Sequence, residues 1–160
     1  MMRFTGTLCA LFLYFFAVGQ NAVSSDVGRV RAEGHTFREA PLLKFQSTDV
    51  SNRDYKLEGL SKGTIMSIDQ DALENLVNDR SEHITLSLPV SDRSEVELTL
   101  IRHEIFTEDF ALYTSDAPDV PVDYRPGVHY KGIVTGDPGS LVAISVFNDE
   151  VMGLISTKAG

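Results

Sequence analysis

Apolar and polar residues alternate along two segments in the middle of the chain, 83–88 and 95–106. Strict alternation is typical of a strand with one buried face, so we predict a strand in each segment, and Pro89 is expected to end the first one. In the second segment the apolar positions change parity between Leu100 and Ile101. Because strand side chains alternate with a period of two, this change predicts a β-bulge at that point, or else a strand that is buried on both faces there.

A helical pattern occurs at residues 70–77, after a strand-like run at 63–68. Its apolar side chains fall on one helical stripe, and Asp69 or Asp71 is expected to cap the first turn. Asp71 and Glu74 also have the spacing of a capping box. The sequence therefore predicts a single short helix here.

Three more strand-like runs follow an expected extended loop at 115–126, where prolines stand among aspartates. Turn residues at 136–139 and 148–149 separate the runs, and the last two runs are predicted to form a hairpin. The runs are 128–134, 141–147 and 150–156. All these elements together predict a mainly β fold, an antiparallel sheet, sandwich or half-barrel with one short helix at 70–77.

The first 35 residues lack this periodicity. Residues 1–19 join a short basic start to an apolar run that ends in small residues, which predicts a secretory signal peptide cleaved after Gly19, with cleavage after Ala22 as the next choice. The protein is therefore expected to be secreted, with no stable membrane insertion after cleavage, because the apolar run is shorter than a membrane span. Residues 20–35 are small and polar and are predicted to be a flexible leader ahead of one β domain at 36–160.

Composition narrows the functional classes. The chain has 160 residues and a formal net charge of −9 at pH 7, so nucleic acid is not an expected partner, because phosphate backbones select basic surfaces. The one cysteine, Cys9, lies in the predicted signal peptide. The mature domain is therefore expected to have no disulfide and no thiolate metal ligand.

Residues with catalytic or metal-binding chemistry do not form a known constellation. His103-Glu104 begins like the HExxH zinc motif, but position 107 is Thr107, so the second histidine ligand is missing. The four histidines share no ligand spacing, and the chain has no nucleophile elbow and no phosphate-binding loop. We therefore assign no catalytic residue, no metal ligand and no cofactor to this chain, and we do not expect it to be an enzyme by itself.

Residues 124–156 carry a series of short motifs: a His-Tyr-x-Gly-x-Val strand, a Gly-x-Pro-x-Ser turn, an Ala-x-Ser strand and a Gly-x-Ile strand. This series resembles the prodomain, or propeptide, of reprolysin (adamalysin, ADAM-like) zinc metallopeptidases of the bacterial secreted type. The matching residues are His129, Tyr130, Gly132, Val134, Gly136, Pro138, Ser140, Ala143, Ser145, Gly153 and Ile155.

The resemblance implies a non-catalytic N-terminal domain that assists the folding of a protease, keeps it latent, or does both. Its partner would be the metallopeptidase catalytic domain in cis, and zinc would be held only in that domain. We expect the chain, which ends at Gly160 after a strand, to be a fragment that lacks the catalytic domain. The loop 115–126 and the edge of the last hairpin are the candidate docking regions.

Two further expectations accompany the resemblance. Animal members of the family often carry cysteines where this chain has Val128 and Phe147. If those cysteines pair, an apolar contact between Val128 and Phe147 is expected to replace the bond here. The alternative function is that of a free-standing secreted β-rich module that binds a glycan or a surface partner, with stacking supplied by tyrosine and phenylalanine because the chain has no tryptophan.

Overall fold

The structure, a computed structural model, describes residues 22–47, 63–124 and 126–158, so the predicted signal peptide lies outside the described residues. These ranges contain two helices and ten strands. The helices are α1 (Ala22–Ala32) and α2 (Gln70–Asp79). The strands are β1 (Arg38–Glu39), β2 (Leu43–Ser47), β3 (Ile65–Ile68), β4 (His83–Ser91), β5 (Ser94–Arg102), β6 (Leu112–Thr114), β7 (Ala117–Val122), β8 (Val128–Val134), β9 (Asp137–Val146) and β10 (Val151–Ser156).

Six strands form one curled, half-barrel sheet in the order β1-β4-β5-β8-β9-β10. Every pairing in it is antiparallel except that of β1 with β4, which is parallel. Two small two-stranded sheets, β2-β3 and β6-β7, complete the architecture. The predicted mainly β fold with a half-barrel sheet is therefore confirmed, as is the hairpin that joins β9 to β10.

The core lies between the concave face of the large sheet, helix α2 and the segment around Leu42. Helix α2 begins where Asp69 accepts a hydrogen bond from the backbone N–H of Ala72, and it buries Leu73 and Leu76. It ends at Arg80, which adopts the left-handed conformation with φ 47°. The predicted helix is confirmed with Asp69 as its cap, and it continues two residues beyond the predicted end. The predicted capping box is wrong, because Asp71 lies inside the first turn and is not the N-cap residue.

No bulge occurs at Leu100 and Ile101, so that prediction is wrong. The pairing of β5 with β4 and with β8 runs through both residues without a register shift. Leu98, Thr99 and Leu100 are all fully buried instead, so β5 is covered on both faces at this point. This is the alternative that the sequence left open, a strand buried on both faces. The second cover is α1, from which Arg31 donates a 2.9 Å hydrogen bond to Thr99 Oγ1.

The predicted flexible leader at 20–35 is also wrong over the described part, because Ala22–Ala32 is a helix. Val27 and Val30 are buried, and Lys131 Nζ on β8 lies 2.9 Å from Asp26 Oδ2. Burial of this valine stripe against the sheet stabilises a segment whose glycine and serines disfavour a helix in isolation. The segment therefore belongs to the folded unit, and the predicted boundary at residue 36 does not separate it from the sheet.

Prolines end fewer elements than predicted. Strand β4 continues through Pro89 to Ser91, and Pro89 is paired with Glu95. Since β1 pairs with β4 only near Ile84, the missing N–H of Pro89 removes no bond to β1. The predicted loop at 115–126 instead forms most of the β6-β7 ribbon, whose two open edges accommodate the prolines of β7.

The turn predicted at 136–139 is shorter than expected. Val134 pairs with Asp137, so only Thr135 and Gly136 form the connection, and β9 begins inside the predicted turn. Gly136 has φ 87°, a conformation that favours glycine. Among the described residues, neither helix has the length and apolar character of a membrane span.

Candidate binding surface

The residues that carry the family resemblance divide between the two faces of the large sheet. Tyr130 lies on the concave face, where its hydroxyl donates a 2.9 Å hydrogen bond to the carbonyl oxygen of Ser81. Burial raises the pKa of Tyr130 to about 12, so this hydroxyl keeps its proton at neutral pH. Val134 and Ile155 are partly buried against the same core. These residues have a structural role.

Gly132 and Gly153 lie at points where neighbouring strands approach closely. A Cβ atom on Gly132 would overlap the carbonyl oxygen of Thr99 and lie 2.9 Å from the Leu100 Cα atom. A Cβ atom on Gly153 would lie 2.7 Å from the carbonyl oxygen of Ala143. The absence of a side chain at both positions lets the sheet curl into its half-barrel.

Ser140 fixes the turn between β8 and β9. Its fully buried hydroxyl donates to the carbonyl oxygen of Asp137 at 2.6 Å and accepts from the N–H of Val134 at 2.8 Å. Pro138 is the second residue of β9, directly after Asp137 and two positions before Ser140. The Gly-x-Pro-x-Ser sequence is therefore explained by local turn geometry and not by a nucleophilic serine.

The other motif residues, His129, Ala143 and Ser145, line a groove on the outer face of the sheet. The groove has a volume of about 500 Å³ and lies along β8, β9 and β10, with His103 and Ile105 forming one wall. We call it the outer groove. Its surface is mainly apolar, so water covers hydrocarbon that would be more stable in contact with a partner.

Three large apolar side chains of the outer groove are exposed to solvent. Ile105 is 54% exposed, Met152 57% and Leu154 65%. Met152 and Leu154 lie on β10, the last strand of the sheet, which has no further strand beside it among the described residues. This edge carries no charged residue, and charge is one of the usual protections against pairing with another strand.

His129 lies at the inner end of the outer groove. Its Nδ1 atom is 2.9 Å from Ser145 Oγ, and its Nε2 atom is buried without a hydrogen-bond partner among the described residues. Burial lowers the pKa of His129 below its ordinary 6.5, and the charges of Arg80 and His103 lower it further. The imidazole is therefore neutral at pH 7.

Aromatic rings connect the outer groove with a second concavity beside the β6-β7 ribbon. The ring of His129 lies 5.9 Å from that of Phe147 and 6.0 Å from that of Phe106, both edge to face. Phe106 in turn lies 4.3 Å from Phe110. The second concavity has a volume of about 580 Å³, and we call it the aromatic pocket. Its aromatic lining residues are Phe106, Phe110 and Tyr124.

The expected contact between Val128 and Phe147 is wrong in its partner. The register pairs Val128 with Val146, and both of these residues are buried in the core. The ring of Phe147 lies instead near His129 on the outer face. An apolar pair does lie at this point of the β8-β9 ladder, but Val128 is paired with Val146, the residue before Phe147.

In the described ranges, no three histidine, cysteine, aspartate or glutamate side chains are grouped so that they could hold a metal ion. His35 and His83 lie together, with ring centroids 5.0 Å apart, far in sequence from His103 and His129. The arrangement of the two surfaces supports binding through apolar and aromatic contacts.

The predicted docking regions and the observed surfaces coincide in part. The loop 115–126 contributes to the aromatic pocket, and the edge of the last hairpin borders the outer groove. The sequence did not identify Phe106 and Phe110 as site residues, although four aromatic residues within 106–124 are an available signal. No protein-family description, no curated protein and no solved structure matches this chain.

Proposed function

We propose that this chain is the non-catalytic, N-terminal propeptide domain of a secreted zinc metallopeptidase, and that it assists the folding of the protease, maintains its latency, or does both. The observation that carries the proposal is the outer groove, an open apolar surface beside an uncharged sheet edge. A domain that works by touching a peptidase needs such a surface, and it needs no reactive centre.

The position of the family-like residues supports the same proposal. His129, Ala143 and Ser145 line the outer groove, while Gly153 lets β10 approach β9 closely and so shapes the groove edge. The residues that carry the family resemblance and the exposed apolar side chains therefore lie on the same strands.

Docking would proceed through two kinds of contact. Met152 and Leu154 would lose water to an apolar part of the peptidase, which contributes roughly 25 cal/mol for each Å² of apolar surface buried. The edge of β10 would pair with an extended segment of the partner through backbone hydrogen bonds. Residues 20–160 contain no cysteine, so we propose that latency arises from steric cover of the peptidase and not from a thiolate on its zinc.

The first test is the reading frame that follows residue 160. An HExxH-bearing domain is expected there, and a frame that continues without such a motif would remove the proposal. The encoded catalytic domain is then produced with and without residues 20–160 in cis. We expect a higher yield of folded peptidase with the domain present, and lower peptidase activity before it is removed.

Variants in the outer groove then test whether this surface acts. Leu154→Lys should reduce the yield of folded peptidase or the degree of latency, because it places a charge on an apolar contact. Val90→Lys is the matched control, since Val90 is an exposed apolar residue on β4 outside the outer groove. Equal behaviour of the two variants would count against the outer groove.

A free-standing secreted binding module remains the second candidate function. The exposed rings of Phe110 and Tyr124 favour it, because aromatic faces form stacking platforms. A screen of residues 20–160 against immobilised glycans distinguishes the two. Specific sugar binding that Phe110→Ser abolishes, together with no effect on any peptidase, would favour the module.

A further inference from the structure

The connection between β5 and β8 exposes a concentration of apolar side chains. Of the eleven large apolar residues that are exposed in the described ranges, seven lie between residues 105 and 124. They are Ile105, Phe110, Leu112, Tyr113, Val120, Val122 and Tyr124. We call residues 104–124 the acidic arm, because they include six aspartates and glutamates.

All formal charges of the acidic arm are negative. The arm contains six aspartates and glutamates and no lysine or arginine. Glu104 is paired with Arg80 and Arg102. The other five carboxylates form no ion pair with a described residue. These five are Glu108, Asp109, Asp116, Asp119 and Asp123.

Aromatic rings and two carboxylates of the acidic arm lie together at the aromatic pocket. Phe106 and Phe110 lie 4.3 Å apart, and the ring of Tyr124 lies 6.2 Å and 6.3 Å from them, edge to face. Glu104 and Glu108 are part of the lining of the same pocket. Aromatic faces attract lysine and arginine side chains, and neighbouring carboxylates strengthen that preference.

We propose that the acidic arm binds a basic polypeptide segment, in which arginine or lysine side chains alternate with apolar ones. The cationic groups pair with the five carboxylates that form no ion pair with a described residue, and they stack on the aromatic pocket. The apolar side chains cover Leu112, Val120 and Val122. This binding goes beyond the proposed propeptide function and does not require it, because it is a property of the isolated domain.

Charge complementarity selects this occupant over the others. An anionic lipid surface or a nucleic acid would meet these five carboxylates, which repel phosphate. A neutral sugar could stack on Phe110 and Tyr124, but it would leave the carboxylates without a role. A polypeptide with both basic and apolar residues satisfies both features of the arm.

The test measures binding of a fluorescein-labelled arginine–leucine peptide to residues 20–160 by fluorescence anisotropy. The comparison probes are the same peptide with every arginine replaced by glutamate, and a neutral oligosaccharide. We expect binding of the basic peptide only, with affinity that falls severalfold between ~50 and ~300 mM NaCl as the charges are screened. Equal binding of the acidic peptide, or binding of the oligosaccharide alone, would overturn the proposal.

Two sets of variants assign the binding to the acidic arm. Phe110→Ser should weaken binding by about fivefold or more, since it removes one face of the aromatic pocket. The double variant Asp119→Asn, Asp123→Asn should weaken binding and reduce its salt dependence, and as an exposed pair it should leave the thermal midpoint unchanged. Glu74→Gln, an exposed carboxylate on α2, is the control and should bind as the wild type does. Unchanged binding in both arm variants would refute the assignment.

Discussion

Gly132 lies where the backbone of β5 leaves no room for a side chain on β8. A Cβ atom there would overlap the Thr99 carbonyl oxygen and lie 2.9 Å from the Leu100 Cα atom. Both neighbours are backbone atoms of fully buried residues, so they cannot rotate away as the end of a side chain could. The strands must separate to admit even one methyl group, which disturbs the core on the concave face.

We predict that Gly132→Ala lowers the free energy of unfolding by about 3 kcal/mol, the upper part of the range for overpacked cores. Urea denaturation followed by circular dichroism measures the change. Gly28→Ala is the matched control, because Gly28 lies in α1 with nothing within 4 Å of an added Cβ atom. That variant should gain about 1 kcal/mol from helix propensity. Equal stability of the Gly132 variant and the wild type would contradict the close approach.

His129 makes the folded state sensitive to mild acid. Its pKa lies below 6.5 because the ring is buried first and repelled second by Arg80 and His103. Phe106, Phe147 and Ser145 surround the rest of the ring, and none of them carries a negative charge. The unfolded chain therefore binds a proton more readily than the folded one between the lowered pKa and pH 6.5.

We predict that the free energy of unfolding falls as the pH falls through this window, and that His129→Gln removes part of the fall. Urea midpoints at pH values above and below 6.5 measure it for both proteins. The titration of the His129 ring protons by NMR gives the pKa directly. A His129 ring that titrates at or above 6.5 in the folded protein would show that this effect is absent.

Among the elements, α1 decides how much of the outer face stays open. It covers the face at Thr99 and Lys131, where Arg31 and Asp26 bind, and it leaves the strip from His129 to Leu154 uncovered. Helix α1 is held against the sheet by the burial of Val27 and Val30. The outer groove is therefore the part of the sheet that this short helix does not reach.

We predict that Val27→Asp detaches α1 from the sheet. Burying an unpaired carboxylate at this site would cost about 2 kcal/mol of folding free energy. The helix avoids part of this cost by separating from the sheet, which exposes the carboxylate to water. Hydrogen exchange should quicken at the α1 amides and stay slow in β8 and β9. Ser25→Asp, at an exposed position near the start of the same helix, should leave exchange unchanged, since the helix dipole favours a negative charge there. Rapid exchange in neither variant would mean that Val27 does not anchor α1.

Element prediction from the sequence succeeded where the signal is local. Helix α2 has a capping aspartate and an apolar stripe, and β8, β9 and β10 alternate between turn residues. It failed where a distant contact outweighs a local preference. Helix α1 exists because the sheet buries its valines, and Pro118 and Pro121 lie in a strand because β7 belongs to a ribbon with open edges.

At the scale of the whole molecule, the two surfaces share one wall. His103 and Ile105 line the outer groove, while Glu104 and Phe106 line the aromatic pocket on the other side of the same segment. A large partner could therefore cover both, with its apolar part against β10 and its basic part against the acidic arm. The Leu154→Lys and Asp119→Asn, Asp123→Asn variants separate the two contributions, because they change different surfaces.

The net charge acts at the same scale. With −9 on 160 residues, the molecule repels anionic partners and its own copies over distances of about a Debye length, roughly 8 Å at physiological salt. Strand β10 differs from the rest of this acidic molecule because it carries no charged residue. The same charge distribution would favour the approach of the basic partner that we propose for the acidic arm.

The sequence by itself determined the class of fold, the short capped helix, the hairpins at the end of the chain and the absence of a recognisable catalytic motif. Period, capping and turn chemistry act between residues a few positions apart, so they can be recognised without a structure. Only the tertiary structure decided that β5 is buried on both faces, that α1 docks, and that Phe106, Phe110, Tyr124 and His129 form one connected cluster. These outcomes depend on contacts between residues far apart in the chain, and no local pattern specifies which distant surface will cover a given side chain.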